Sequence, residues 1–298
     1  MHRLQIISPS GAIDPQLIDL TETYFRHIGW QVGEGRCARS RYGRFAATAQ
    51  ERLQDLMEAI TDSQNDVVLC ARGGYGLQQI IDSLPHWTPE QHLPLIVGFS
   101  DITCLHQWCA RQGRVSLHAM MCKGLSQAVQ DNDHAALEQW VQAVEGTPLR
   151  YVLPAHELNR HGQACGKLIG GNLSVLYGLQ ATPLGLDKLV ADGKEKQHIL
   201  FIEDISERHY HIDRMMNNLR MSGVLAHISG LVVGQMTDCE DDPGMSCSVM
   251  QTIAQAVADY DFPVLFGFPA GHDHPNLPLR MGATCRLNIN SDHVLLQQ

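Results

Sequence analysis

Short apolar runs alternate along this chain with stretches in which apolar residues recur every three or four positions, the pattern of strands interleaved with amphipathic helices. Leu4 to Ile7 reads as a first strand. Leu17, Leu20, Tyr24 and Phe25 follow at helical spacing. Thr48 with Glu51 three residues on predicts a capping box, and Leu53, Leu56, Met57 and Ile60 then mark one helix face. Asp66 to Ala71 reads as a buried strand that runs directly into Arg72-Gly73-Gly74-Tyr75-Gly76. Leu93 to Gly98 repeats the arrangement and enters Phe99-Ser100-Asp101, after which Ile102, Leu105, Trp108 and Cys109 give a helical face ending near Gly113. The alternation predicts an α/β protein.

From about Gly146 to Gly166 the pattern weakens, with Pro148, Pro154 and a polar cluster at Asn159 to Gly162, so the reading divides the chain into domains 1–147 and 148–298. In the back half, Gly166 to Leu179 reads as a glycine-rich entry to a helix, and His198 to Asp204 as a strand. Ile212, Met215, Met216 and Leu219 share a helix face, which reads as core rather than as a cofactor box. Gly230 to Gly234, a helix near Val249 to Val257, and a strand-like Phe262 to Gly267 complete the pattern, with no internal repeat.

Composition narrows the function classes. Of 298 residues, 44% are hydrophobic and 18% charged, an ordinary globular balance, and the formal net charge of −10 argues against a nucleic-acid binder. No apolar run is long enough to span a bilayer, and the first residues lack a signal-peptide core, so a cytoplasmic enzyme is expected. The nine cysteines form no C-x-x-C pair and are odd in number, which fits reduced thiols.

Candidate chemistry gathers at the ends of the apolar runs. Ser100 stands at a strand-to-helix junction, where a hydroxyl faces helix-terminal N–H groups; it reads either as a nucleophile or as an ordinary helix cap. Ile102 occupies the place of the second glycine of a G-x-S-x-G elbow, which counts against a common α/β-hydrolase. Arg72 to Gly76 is either a ligand-approaching loop or a tight turn with Arg72 in a surface ion pair, and it lacks the residues of a Walker or dinucleotide loop. Strand alternation sends Glu203 and Asp204 to opposite sides, one of them toward the interior or a cleft, as a structural partner or as the carboxylate that orients a histidine. His272-Asp273-His274 carries a His-x-His without further ligands at metal spacing, so no metal is expected, and Asp238 to Asp242 reads as a solvated acidic loop rather than a calcium site. Together these supply a serine, an acid and a histidine, the three roles of a serine hydrolase.

At this point the motifs, in order, resemble those of the LD-carboxypeptidases, serine peptidases that include muramoyltetrapeptide carboxypeptidases and microcin C immunity peptidases. The resemblance runs through Ile7 to Ser10, Arg72 to Gly76, Gly98 to Asp101 with Thr103, Gly170 to Leu173, Leu200 to Asp204 with Arg214 and Met215, and Gly267 to His272 followed by Leu277 and Pro278. It implies Ser100 as nucleophile, Glu203 as orienting acid and His272 as base, with an oxyanion hole from the backbone N–H groups of Asp101 and of the Arg72 loop at Gly73 and Gly74. It also implies a flavodoxin-like amino-terminal domain, a smaller α/β carboxy-terminal domain, an active site in the cleft between them, and a homodimer without cofactor. The implied activity releases the terminal D-alanine from murein tetrapeptides or muropeptides in peptidoglycan recycling. The alternative within the family is hydrolysis of a microcin C-type peptidyl nucleotide. Two features depart from the relatives: the histidine-rich run Arg208 to His211, and His274, a second imidazole near the proposed base. An acidic protein acting on an acidic peptide needs local positive potential, for which Arg72 and the helix start after Ser100 are candidates.

Overall fold

The computed structural model describes residues 2–88, 91–191 and 197–298. Its strands, in chain order, are β1 (Arg3–Ile7), β2 (Gln31–Glu34), β3 (Val67–Cys70), β4 (Leu95–Gly98), β5 (Ser116–His118), β6 (Arg150–Pro154), β7 (Gly162–Asn172), β8 (His198–Ile205), β9 (Gly230–Thr237), β10 (Val264–Leu265), β11 (Leu279–Met281), β12 (Thr284–Ile289) and β13 (His293–Gln297). They fall into two sheets, and the chain divides into two units of nearly equal length, Met1–Thr147 with Leu277–Leu279, and Pro148–Asn276 with Arg280–Gln298.

In the first unit β2, β1, β3, β4 and β5 lie in that order and are parallel throughout. This is the flavodoxin-like order, in which the connections leave β1 and β3 in opposite directions and open a crevice at their carboxyl ends. The segments that emerge there are Ser8 to Ile13 after β1 and Arg72 to Gly76 after β3, with Phe99 and Ser100 following β4 in the next position. β3 is buried along its whole length, as a parallel strand covered on both faces requires.

Two helices of this unit start where local chemistry dictates, and polar residues join the apolar ones on their buried faces. Asp14 caps Pro15–His27 by accepting from the Gln16 N–H, and Thr48 and Glu51 form the expected reciprocal capping box on Ala49–Thr61. The buried stripes are Ile18, Thr21, Glu22 and Phe25 on the first and Arg52, Asp55, Leu56, Ala59 and Ile60 on the second. Of the residues read at helical spacing, Phe25, Leu56 and Ile60 are buried, while Leu17, Leu20, Tyr24, Leu53 and Met57 are only half-buried. Burial follows the polar residues here because each finds partners inside. Arg52 donates to four oxygens, and Asp55 accepts from the N–H groups of Arg36 and Cys37 at 2.7 and 3.0 Å.

The second unit holds a mixed sheet in the order β10-β9-β8-β7-β12-β13-β6, parallel from β7 to β10 and antiparallel from β7 to β6. The glycine-rich run from Gly166 is not the entry to a helix but the latter half of β7, with the helix Leu173–Gly178 following it. The reason is close approach: a methyl on Gly170 would lie 2.0 Å from the Phe201 carbonyl oxygen of β8. Phe262 to Gly267 supplies only the two-residue β10, since Pro263 offers no N–H and Asn159 Oδ1 takes the Phe266 N–H. Ile212, Met215, Met216 and Leu219 are buried on one face of His209–Met221, as their spacing predicts. No helix among the described residues is long and apolar enough to cross a membrane.

Candidate active site

The turn after β4 carries the proposed nucleophile in an unusual conformation. Ser100 has φ 64°, a left-handed backbone that a non-glycine residue adopts at a cost of about 1–2 kcal/mol. It does not act as a helix cap. Phe99 precedes the 3-10 turn Ser100–Ile102, with no side-chain cap, and the α-helix Thr103–Arg111 begins only afterwards. Ile102, which spoils the G-x-S-x-G pattern, has its own packing role: a methyl on Gly98 would lie 2.8 Å from the Ile102 Cγ1 atom. Gly98 is therefore needed so that the fully buried Ile102 can fold back over the end of β4.

The glycine loop lies directly against this turn. A methyl on Gly73 would meet the Ser100 Cβ at 2.9 Å and its Oγ at 3.2 Å, so only a glycine lets the loop backbone approach the hydroxyl this closely. Gly74 has φ 97° and Gly76 φ 139°, conformations that turn the loop sharply. Arg72 is exposed, and its Nη1 donates to the Ala12 carbonyl at 2.6 Å instead of to a surface carboxylate.

Two buried charged side chains hold these segments together, that of Arg52, which the sequence does not single out, and that of Asp101, which it marks only for the backbone N–H. The Asp101 Oδ2 atom accepts from the Ser10 hydroxyl at 2.7 Å and from the Leu77 N–H at 2.9 Å, tying the Ser100 turn to the ends of β1 and of the glycine loop. Burial pushes the Asp101 carboxyl upward, against those hydrogen bonds and the positive charge of Arg52. Arg52 is fully buried and donates to the carbonyls of Pro9 at 2.6 Å, Gly76 at 3.0 Å and Ala47 at 3.1 Å, and to Gln79 Oε1 at 2.6 Å. Its position on an otherwise apolar helical repeat, one residue before Leu53, gave no signal of this role.

His106 lies beneath the same turn, with Nε2 donating to the Gly98 carbonyl at 3.1 Å and Nδ1 accepting from the Ser116 hydroxyl at 2.8 Å. The carbonyl can only accept, which fixes the tautomer. Burial lowers its pKa from 6.5 to about 4. The folded state then binds fewer protons than the unfolded chain between those values, so His106 subtracts stability as pH falls from 6.5 to 4, by about 3 kcal/mol in all. His106→Gln is expected to move the acid-unfolding midpoint to lower pH, followed by tryptophan fluorescence. An unchanged or higher midpoint would contradict the assignment.

In the second unit β8 carries Glu203, the proposed acid, and the loop after Phe268 carries His272, the proposed base. Glu203 is fully buried, and its Oε2 accepts from His272 Nδ1 at 2.8 Å. With Nδ1–H committed to the carboxylate, Nε2 keeps its lone pair and can take a proton. The base loop is fixed on several sides: the Gln235 side chain accepts from the Asp273 N–H at 2.9 Å and donates to the Pro275 carbonyl at 3.0 Å. Thr237 donates to the Asp273 carboxylate at 2.9 Å, and Asn276 accepts from the Gly271 N–H at 3.2 Å. His272 and His274 are thus differentiated, since it is His272 that faces the buried acid.

Asp204 points the other way, as alternation predicts. It accepts from Asn172, from the Ser174 N–H and hydroxyl, and from its neighbour Ile205. Burial first, and the Glu203 charge second, raise its pKa to about 7. Its linkage opposes that of His106: the folded state binds more protons between 3.8 and about 7, so Asp204 costs stability as pH rises through that window. In the histidine-rich run Arg208 to His211, His209 is buried against Thr252 and accepts the Asp242 N–H, which ties down the acidic loop, while His211 pairs with Glu207.

Comparison with known proteins gives this geometry its relatives. The model of the LD-carboxypeptidase N-terminal domain matches residues 4–119 and that of the LD-carboxypeptidase C-terminal domain residues 165–287. A probable murein peptide carboxypeptidase of Bacillus subtilis is 34% identical over 95% of this chain and 88% of its own length. The murein tetrapeptide carboxypeptidase of Pseudomonas aeruginosa is 28% identical over 97% and 94%. Among solved structures, a muramoyltetrapeptide carboxypeptidase from Oxalobacter formigenes superposes with a TM-score of 0.86 at 24% identity, covering 99% of this chain and 98% of that one. The microcin C7 self-immunity protein MccF, in complex with aspartyl sulfamoyl adenosine, superposes with a TM-score of 0.83 at 17% identity over 100% and 96%, a likeness of fold. With both domain models matched and a relative this similar along nearly its full length, the chain belongs to the LD-carboxypeptidase family of serine peptidases.

Proposed function

We propose that this protein releases the terminal D-alanine from murein tetrapeptides, with Ser100 as nucleophile, His272 as general base and Glu203 as the acid that orients it. The observation that supports the chemistry is the buried Glu203–His272 hydrogen bond, because an Nδ1–H given to the carboxylate puts the lone pair of the ring on Nε2. In this reading His272 Nε2 takes the Ser100 Oγ proton as the oxygen attacks the carbonyl of the diamino acid's L-centre. The negative charge on the carbonyl oxygen is met by backbone N–H groups of Asp101, Gly73 and Gly74, each worth roughly 3–4 kcal/mol in the transition state. His272 then gives its proton to the departing D-alanine nitrogen as the C–N bond breaks. A water, deprotonated by the same nitrogen, attacks the acyl ester and regenerates Ser100. Arg72 takes the terminal carboxylate of the substrate in this scheme, as a planar donor suited to two oxygens.

The same reading places the enzyme in peptidoglycan recycling in the cytoplasm, as a homodimer. Support for the substrate comes from two relatives named murein peptide carboxypeptidases, 34% and 28% identical, whereas MccF shares the fold at 17%. Incubation with a muropeptide tetrapeptide and with a peptidyl adenylate analogue separates the two substrates. The expected result is loss of one alanine from the tetrapeptide, read by mass. Cleavage of the adenylate alone would overturn the reading.

A further inference from the structure

A chain with net charge −10 nonetheless places Arg36, Arg39, Arg41 and Arg44 within nine residues that contain no Asp or Glu. Two of the four are neutralised locally. Arg36 pairs with Glu58 at 3.0 Å, and Arg39 is gripped by Glu34 and Asp19 with Glu22 nearby. Arg41 and Arg44 are exposed, and among the described residues no ion pair or side-chain hydrogen bond engages either.

These two guanidinium groups stand on a fixed turn. Tyr42 and Phe45 exchange N–H···O bonds of 2.8 and 3.1 Å around Gly43, which has φ 63°. The turn is strapped to the segment after β1 by bonds from Ala12 N–H to the Arg44 carbonyl at 3.0 Å and from Ala46 N–H to the Ser10 carbonyl at 3.1 Å. Gly11 marks where it meets the proposed catalytic segments: a methyl there would lie 2.8 Å from the Gly73 oxygen, 3.6 Å from the Arg44 oxygen and 3.7 Å from Arg72 Cδ. Gly73 in turn lies against Ser100. Beside the arginines, Tyr42 and Tyr75 leave 62% and 47% of their surface exposed, with the Tyr75 ring 6.0 Å from that of Phe45.

We infer that Arg41 and Arg44, flanked by Tyr42 and Tyr75, form a subsite for carboxylates of the peptide substrate other than the terminal one. The inference rests on the carboxypeptidase reading, which supplies a polyanionic peptide. Unpaired arginines are the donors such a ligand needs, and tyrosine faces add contact area at small entropic cost. Because the groups are exposed, the attraction is screened by salt over about 8 Å at physiological ionic strength.

The test compares wild type with Arg41→Ala/Arg44→Ala on two substrates: a muropeptide tetrapeptide, and the same peptide with all its carboxylates other than the terminal one amidated. For the acidic peptide the double variant should raise KM about tenfold at low salt with kcat within about twofold, and the gap should close at high salt. The amidated peptide should show the raised KM already in wild type, with little further change in the variant. Arg36→Ala, which removes an arginine already paired with Glu58, serves as the control and should leave KM within about twofold. An unchanged KM in the double variant, or equal increases for both peptides, would overturn the subsite. If wild type releases no alanine at all, the functional reading fails instead. Titration of the tetrapeptide into wild type and the double variant then decides the subsite separately, equal affinities ruling it out.

Discussion

Ser100→Ala should abolish D-alanine release, lowering kcat by a factor on the order of a million, as removing the nucleophile of a serine hydrolase does, while the fold persists. The structure adds a second expectation that separates catalysis from stability. Ser100 is held at φ 64°, where serine and alanine are both strained and glycine is not. Ser100→Gly should therefore be as inactive as Ser100→Ala yet more stable than either, by up to about 1 kcal/mol, or a few degrees in Tm. Strain concentrated at a functional residue is a stability cost retained for activity. Turnover by purified Ser100→Ala at the wild-type rate would end the nucleophile assignment, and equal melting temperatures for the alanine and glycine variants would end the strain argument.

Glu203→Gln should cost 10²- to 10⁴-fold in kcat with KM little changed. The shape of the side chain is conserved and one oxygen remains to accept from His272 Nδ1, so packing around the fully buried position should hold. What is lost is the negative charge that stabilises the imidazolium formed when His272 takes a proton, together with the unique preference for Nδ1–H. An amide can rotate and present its own N–H to Nδ1, which would turn Nε2 into a donor and remove the base. Steady-state kinetics with circular dichroism as the folding control tests this. Retention of activity within threefold would show that Glu203 is a structural partner of His272 and nothing more.

Much of the candidate site was readable because its residues end apolar strands. Glu203 and Asp204 were expected on opposite sides of β8, and they are: one meets His272 and the other Asn172 and Ser174. The capping box at Thr48 and Glu51 was readable because its geometry is local. Sequence left open whether Ser100 was a cap or something else, and the answer came from a backbone angle and the absence of a side-chain cap on its short turn. Arg52 and the Asp101 side chain were missed. A buried ion on an amphipathic helix resembles a surface residue until its partners are known, and those partners, at Pro9, Ser10, Gly76 and Leu77, come from distant parts of the chain.

The sequence by itself determined the fold class, the placing of most helices and strands, and the chemical types available at the strand ends, because these follow from periodicity and local hydrogen bonding. Tertiary structure decided which polar residues join the buried helix faces and how closely β7 and the Arg72 loop approach their neighbours. Those outcomes depend on partners far apart in sequence. Gly170 is required because β8 carries a carbonyl at that spot, and Arg52 is core because three other segments offer it oxygens. The excess negative charge was visible at once as a number. That two of four clustered arginines escape it beside Gly11 and Gly73 was visible only once their neighbours had claimed the other two.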